Sequence, residues 1–431
     1  MTTPSDFRSR IAGDLELFGD FDALCAFGGR LAGTTSEKQA MDYVAARGSE
    51  ATGVRCRSLP VPYTGWRSLR AELTLQDGTR AACHPLVRSV ATPQAGLSAE
   101  VVDLGRGTPE EFEAHRADIA GRIVLVRHEL MFVAGTVHRR RKYEMARAAG
   151  AVGFLIAGPI PNGLVAGSSG RGEGDPGVPA VGISPETAAR LARTAAGWPR
   201  ITMWLDAVEE PAETRTLLFD MPGQADEWVI LSAHVDGHDI NESAIDNASG
   251  VAAALSAARA FAPVVAGWRR GVRLAFFSAE EWALTGSARY VASLSDADRA
   301  KIALNVNLDS VAGNPRLTAL TSGFAGLEPF LLWVSEAAGQ DLRCVRPLLT
   351  NSDHANFALA GIPAFRLVAG YDDPASNLRF VLTPGDTRDK VAKAELTAAA
   401  QLAASITAAA CQAETAAAGD WRRSGGYSQF R

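Results

Sequence analysis

The sequence predicts an α/β protein in which helices cover a mostly parallel sheet and a β-rich segment is inserted. From about residue 205 onward, short apolar runs alternate with helical patterns, as βαβ units require. Between about 60 and 205 the character changes, and short strand-like runs predominate. The length of 431 residues exceeds one ordinary core, which favours a large insertion or two compact units.

Local sequence patterns predict the elements that precede and form the insertion. The stretch GGRLAGTTSEKQAMDYVAARGSEATG predicts a loop, a Thr/Ser cap before Glu37, and an amphipathic helix closed by glycine. The insertion contains strand-like runs such as RIVLVRHEL and VGFLIAG, with a helix in KYEMARAAGA. Its charged run HRRRK, at 138–142, is expected to form a solvated face.

After the insertion, strands are predicted in WVILSAHV, GVRLAFFSAEE, KIALNVNLDSV and IPAFRLV, with helices between them. KVAKAELTAAAQLAASITAAACQAE predicts a long closing helix packed on the sheet. We therefore predict four segments: 1–60 as the opening part of the main domain, 61–205 as the insertion, 206–415 as the rest of the main domain, and 416–431 as a C-terminal tail.

Composition excludes several classes of protein. A hydrophobic share of 47% with a net charge of −5 is typical of a globular protein that does not bind nucleic acid. The five cysteines are scattered and odd in number, which argues against a disulfide framework. The N-terminus lacks a signal-peptide pattern, and polar residues interrupt the alanine-rich closing helix. We expect a cytoplasmic protein that does not contact a membrane.

Side chains that can bind a metal gather where the predicted strands end. They are His234, Asp236, Asp246, Glu280, Glu281 and Asp309. In an open parallel sheet the carboxyl ends of the strands meet at one edge, where ligands bind. Five buried carboxylates would repel one another without cations, and one imidazole among oxygens suits zinc. The sequence therefore predicts a hydrolytic metal site at this edge.

These motifs resemble the co-catalytic zinc aminopeptidase family, which includes glutamate carboxypeptidases and has relatives in transferrin receptor and glutaminyl cyclase. The resemblance rests on H-x-D at 234–236, D-N-A-S-G from 246, E-E at 280–281, N-L-D ending at 309 and S-D-H at 352–354. It covers roughly 20–55 and 205–412. It implies a zinc-exopeptidase fold of the phosphorylase/hydrolase-like type.

The insertion is similar to the protease-associated domain. AGRIVLVRHEL, KYEMARAAGAVGFLIAG and VPAVGIS carry that similarity. It implies that the insertion restricts access to the cleft or joins an oligomer interface, so a homo-oligomer is left open.

The family resemblance also implies a role for each metal ligand. His234 and Asp309 would hold one metal, Glu281 would hold the other, and Asp246 would bridge them. We expect zinc, as one or two ions per chain, with another divalent metal left open. Two further residues have implied roles: Asp236 would orient His234, and Glu280 would be the general base.

One position departs from the family pattern. In the family a histidine of the second metal begins a segment of the form H-T-P-x-D-T, and here FVLTPGDTRDKV places Leu382 there. Leucine cannot bind zinc, so either another side chain replaces it or only one metal site is complete. We name His354 as a predicted ligand and leave His238 as a further candidate. A histidine that contacts substrate is the alternative for both.

We predict a metal-dependent amide hydrolase, an aminopeptidase that acts on a peptide or small amide. One alternative is a single-metal amidohydrolase or carboxypeptidase that acts on a small N-acylated metabolite. Others are a cyclase-like transferase and a non-catalytic binding or scaffold protein. The retained glutamate pair and metal ligands favour an enzyme.

Overall fold

The computed structural model describes residues 4–131, 133, 135–172, 174–192 and 197–422. The strands are β1 Arg57–Leu75, β2 Arg80–Ala81, β3 Cys83–Pro85, β4 Leu97–Asp103, β5 Ile123–Arg127, β6 Gly153–Ala157, β7 Ala180–Ile183, β8 Arg200–Met221, β9 Trp228–His234, β10 Gly271–Phe277, β11 Ile302–Leu308, β12 Leu317–Leu320, β13 Leu342–Val345 and β14 Ala364–Ala369.

The helices are α1 Pro4–Ala12, α2 Glu16–Ala26, α3 Thr35–Thr52, α4 Pro109–Ala114, α5 Arg116–Ile119, α6 Arg139–Ala148, α7 Pro185–Ala192, α8 Ser249–Phe261, α9 Thr285–Ser293, α10 Asp296–Lys301, α11 Glu328–Ala337, α12 His354–Leu359, α13 Lys393–Gln412 and α14 Thr415–Trp421. The part of the predicted tail beyond 422 lies outside the described residues.

The main sheet runs in the order β13-β12-β14-β11-β9-β10-β8. Strands β14, β11, β9 and β10 pair in parallel, while β8 and β12 join antiparallel. Helix α8 packs on α13, and α9 packs on α12. The predicted fold, a mostly parallel sheet flanked by helices, is confirmed. Parallel strands buried on both faces explain the unbroken apolar runs of the sequence.

The closing helix α13 is buried against the main sheet. It is long and apolar enough to meet the length and composition expected of a membrane span, but 67% of that apolar stretch is buried inside the fold. It packs on α1, α8 and α11 and on strands β9, β10 and β11. Its composition is therefore that of a core helix.

A long two-stranded ribbon joins the insertion to the main sheet. Strand β1 pairs antiparallel with β8 from Arg57 opposite Leu218 to Leu75 opposite Ile201. The last residues of β8 pair with β10, and its first residues pair with β4. Strand β4 then begins the insertion's own order, β4-β5-β6-β7-β3. The sequence predicted short strands in this region, whereas β1 has 19 residues and β8 has 22.

The amphipathic helix predicted before Gly53 forms as α3. The Thr34 side chain caps α3 by accepting a hydrogen bond from the Glu37 amide, and Gly53 ends the helix at φ 70°. The carboxylate of Glu37 turns inward, where the hydroxyls of Thr214 and Ser278 donate to it. This helix thereby attaches to the end of β10 near the predicted site.

Candidate metal-dependent active site

Three predicted ligands meet at the carboxyl edge of the main sheet. His234 ends β9, Asp309 follows β11, and Asp246 lies in the turn before α8. The Nε2 atom of His234 is 3.1 Å from Asp246 Oδ1 and 3.7 Å from Asp309 Oδ1. One ligand atom from each residue lies within 4.8 Å of the other two. This spacing suits a single divalent ion.

Hydrogen bonds from Asn247 hold two of these ligand segments together. The Asn247 side chain donates to the Leu308 carbonyl at 2.9 Å and accepts from the Ser310 amide at 3.2 Å. It thus ties the turn containing Asp246 to the end of the strand that precedes Asp309.

A buried carboxylate fixes the same turn from the other side. Asp386 accepts from the amides of Ile245 at 2.7 Å and Asp246 at 3.2 Å. Burial is the main reason that the pKa of Asp386 rises to about 7.

His234 is oriented by the main chain. Its Nδ1 lies 3.0 Å from the Asp236 carbonyl oxygen and 3.7 Å from the Asp236 carboxylate. With Nδ1 donating to the carbonyl, a neutral imidazole carries no proton on Nε2, which would leave this atom free to bind a metal. The Asp236 carboxylate accepts instead from the amides of Glu280 at 3.1 Å and Glu281 at 3.2 Å. Asp236 therefore positions both His234 and the glutamate pair.

Glu280 has the environment of a proton acceptor. Its side chain lines the cleft and is only 7% exposed. Burial raises its pKa well above the ordinary value, and the negative charges of Glu281 and Asp309 add to this although His234 opposes it. A carboxylate with a raised pKa holds a proton more readily near neutral pH.

His238 lies beside Glu281. The distance from His238 Nε2 to Glu281 Oε2 is 2.7 Å, and both side chains are almost completely buried. Burial alone would raise the pKa of Glu281, but His238 and His234 bring it below the ordinary value.

His354 and Leu382 occupy different surroundings. Leu382 is buried and lines the cleft. His354 begins α12 with both ring nitrogens buried and without an aligned hydrogen bond. Burial and the charge of Arg366 lower the pKa of His354 to about 3. His354 is not in the three-ligand group, and its role as a ligand stays a prediction.

Arg366 is a site residue that the sequence analysis did not identify. Its Nη2 lies 2.8 Å from Asp309 Oδ1, and its Nε donates to the Asp309 carbonyl at 3.2 Å. Burial opposes ionisation of Asp309, but the guanidinium and His234 lower its pKa. The available signal was an arginine inside the otherwise apolar strand IPAFRLV.

The donor atoms fit a bound cation. The buried atoms at this edge that have no aligned hydrogen-bond partner include His234 Nε2, His238 Nε2, Asp246 Oδ1 and Glu281 Oε1. Buried polar groups without partners are costly, and nitrogen and oxygen ligands of this kind are those that a divalent metal accepts. The side chains therefore favour a metal site over an apolar core.

The insertion forms a roof over this edge. The cleft of about 50 Å³ is lined by Met131, His138, Arg139, Arg140, Ser168, Asp246, Glu280, Glu281, Asp309, Asn351, Arg366 and Leu382. The Ala166 amide donates to the Leu382 carbonyl at 2.8 Å, which attaches the roof to the main domain. The active-site cleft thus lies between the two parts of the chain.

The expectation of a solvated face at 138–142 is wrong for Arg139 and Lys142, which are buried. Arg139 donates to the Ser168 carbonyl at 2.6 Å, and Lys142 forms an ion pair with Glu129 at 2.7 Å. The polar acceptors within the insertion compensate for burying these charges.

Comparisons with known proteins agree with this architecture. Residues 216–407 match Peptidase family M28, and residues 83–191 match the PA domain. The chain is 26% identical to Aminopeptidase YwaD of Bacillus subtilis over 397 residues, which cover 90% of this chain and 82% of that protein. It is 28% identical to Probable lipoprotein aminopeptidase LpqL of Mycobacterium tuberculosis over 369 residues, with 80% and 70% covered.

Solved structures share the fold. A Peptidase M28 precursor from Shewanella amazonensis superposes with a TM-score of 0.79 at 22% identity, covering 96% of each chain. BSAP, described as a zinc aminopeptidase from Bacillus subtilis, superposes with a TM-score of 0.75 at 24% identity, covering 94% of this chain and 97% of that one. The comparisons thus indicate a hydrolytic enzyme whose residues 216–407 are similar to peptidase family M28, with a PA domain inserted before its metal-bearing strands.

Proposed function

We propose that this protein is a zinc-dependent aminopeptidase that releases N-terminal residues from short peptides. One observation carries the proposal: His234, Asp246 and Asp309 meet at the sheet edge, and Glu280 lines the same cleft. The aminopeptidase names of its relatives and the zinc named for BSAP support the substrate class and the metal.

The residues around the cleft have separate roles in this proposal. A divalent metal held by His234, Asp246 and Asp309 would supply Lewis-acid chemistry, which polarises a carbonyl and acidifies water. Glu280 takes a proton from the attacking water and returns it to the leaving amine. Asp236 holds the amide of Glu280 and thereby fixes the position of the base.

The charge of the cleft supports recognition of a free α-amine. Asp246, Glu280 and Glu281 contribute carboxylates to its lining beside Arg139, Arg140 and Arg366, and a protonated amine is attracted to the carboxylates. The small volume beneath the roof favours short peptides. We also propose a cytoplasmic location, which the five unpaired cysteines support.

The Glu280→Gln variant tests the proposed function. We expect kcat on dipeptides and aminoacyl 4-nitroanilides to fall by about 10²- to 10⁴-fold, because the base is lost while the ligands remain. Zinc content, measured by elemental analysis, should not change. The exposed Glu336→Gln variant is the matched control and should retain full activity.

Two outcomes would contradict the proposal. Hydrolysis that survives in pure Glu280→Gln protein would exclude the assigned base. Cleavage of N-acetylated peptides at the rate of their free-amine counterparts would instead indicate an amidohydrolase.

A further inference from the structure

We propose that His238 supplies the histidine ligand of a second metal position, together with Glu281, in place of the side chain that the family pattern has at Leu382. This inference rests on the proposed metal-dependent function and deepens it. It assigns a ligand to a residue outside the three-ligand group of His234, Asp246 and Asp309.

The geometry of His238 and Glu281 is that of two ligands that face a common partner. Their Nε2 and Oε2 atoms are 2.7 Å apart, yet Nε2 of His238 makes no aligned hydrogen bond. Oε1 of Glu281 is also buried without a partner. Both residues thus retain free, buried donor atoms that a cation would satisfy.

The loop that carries His238 holds the side chain of this residue in a buried position. The His238 amide donates to Ser243 Oγ at 3.1 Å, and the side chain is 2% exposed. A Cβ at Gly237 would lie 2.2 Å from the same hydroxyl oxygen, so only glycine allows this close approach. The imidazole is therefore held by a fixed turn beside Glu281, which lines the cleft.

Asp246 lies near both positions. Its Oδ1 is 3.1 Å from His234 Nε2, and its side chain lines the same cleft as Glu281. A carboxylate in this place can contribute to both positions, as a bridging ligand does.

The other candidates fit the second position less well. Leu382 lines the cleft with an apolar side chain. His354 has Arg366 and Asp309 as its charged neighbours, so it belongs to the Asp309 side of the site. Arg366 is already paired with Asp309, and its positive charge disfavours a further cation beside His354.

The test is zinc stoichiometry, measured by elemental analysis and by calorimetric titration of zinc into chelator-treated protein. All variants are made in the Glu280→Gln background, so the result does not depend on hydrolysis. We expect two zinc ions in that parent protein, one in its His238→Ala variant and one in its Glu281→Gln variant. The His354→Ala variant is the matched control and should keep two.

The ion that remains at His234, Asp246 and Asp309 reports that each variant is folded. A single ion in the parent protein, two ions in the His238→Ala variant, or one ion in the His354→Ala variant would each overturn the proposal. A protein that binds two ions as expected but, with Glu280 restored, does not hydrolyse peptides would overturn the proposed function alone.

Discussion

At the scale of single residues, Arg30 fixes the loop that follows His234. Its side chain is fully buried and donates to five main-chain carbonyls, those of Leu24, Gly28, Val235, Glu242 and Ser243. Burial is the main reason that its pKa is lowered. One guanidinium thus satisfies acceptors on two separate chain segments and closes the turn that holds His238.

The Arg30→Met variant should lose at least about 3 kcal/mol of unfolding free energy, because several buried carbonyls lose their donor. Urea denaturation monitored by circular dichroism measures this loss. The Arg116→Met variant removes an exposed arginine paired with exposed Glu113 and should change stability by less than about 0.5 kcal/mol. Equal losses in the two variants would exclude the role given to Arg30.

The sequence predicted which side chains gather at the sheet edge better than it predicted the residues that support them. His234 and Asp309 stand in short motifs at strand ends, and Asp246 stands directly before a helix, so pattern and spacing were sufficient to place the three together. Arg30 has no local signal, because most of its partners lie far away in the chain, and the signal for Arg366 was only an arginine inside an apolar strand. Only the folded chain brings these contacts together.

Among the helices and strands, the start of α8 packs closely against the end of β11. A Cβ at Gly250 would lie 2.3 Å from Asn247 Oδ1 and 2.4 Å from the Leu308 carbonyl oxygen. The second of these atoms belongs to the main chain and cannot rotate away. The close packing of helix and strand sets the distance between the segments that carry Asp246 and Asp309.

The Gly250→Ala variant should therefore lose about 1–3 kcal/mol of stability through overpacking. Its zinc affinity should also fall, because the helix must move away from β11. Urea denaturation and zinc titration measure the two effects.

The control is Gly19→Ala, in the exposed middle of α2, where a Cβ meets nothing within 4 Å. It should gain about 0.5–1 kcal/mol from helix propensity and leave zinc binding unchanged. A Gly250→Ala protein as stable as the wild type would show that the helix is not tightly held.

The sequence analysis did not predict the full length of strands β1 and β8. Prolines at 60, 62 and 211 and several charged residues divide their pattern into short pieces. Proline is tolerated in strands mainly at edges and irregular positions, so such runs favour separate short strands. Here pairing between the two long strands overrides the local signal.

At the scale of the whole molecule, we expect the inserted domain to limit which substrates can enter. Met131, Arg140 and Ser168 of the insertion line the same small cleft as Glu280. A long peptide would have to displace more of this lining than a dipeptide or tripeptide would.

We expect kcat/KM to fall at least about tenfold between a tripeptide and a decapeptide with the same N-terminal residues, an effect of about 1.4 kcal/mol on the transition state. Release of the N-terminal amino acid, measured by chromatography, provides the rate. A series of intermediate lengths is the internal control and should show where the decline begins. Rates that do not depend on length would show that the roof opens freely.

The pairing of Leu75 with Ile201 has an evolutionary consequence. The chain leaves the ribbon at Leu75 and re-enters it at Ile201, directly opposite. The whole segment between these two residues therefore occupies the position of a hairpin turn. A gene could gain or lose that segment without shifting the register of either long strand. An ancestor with a simple turn there would have kept every metal ligand and exposed them to much larger substrates.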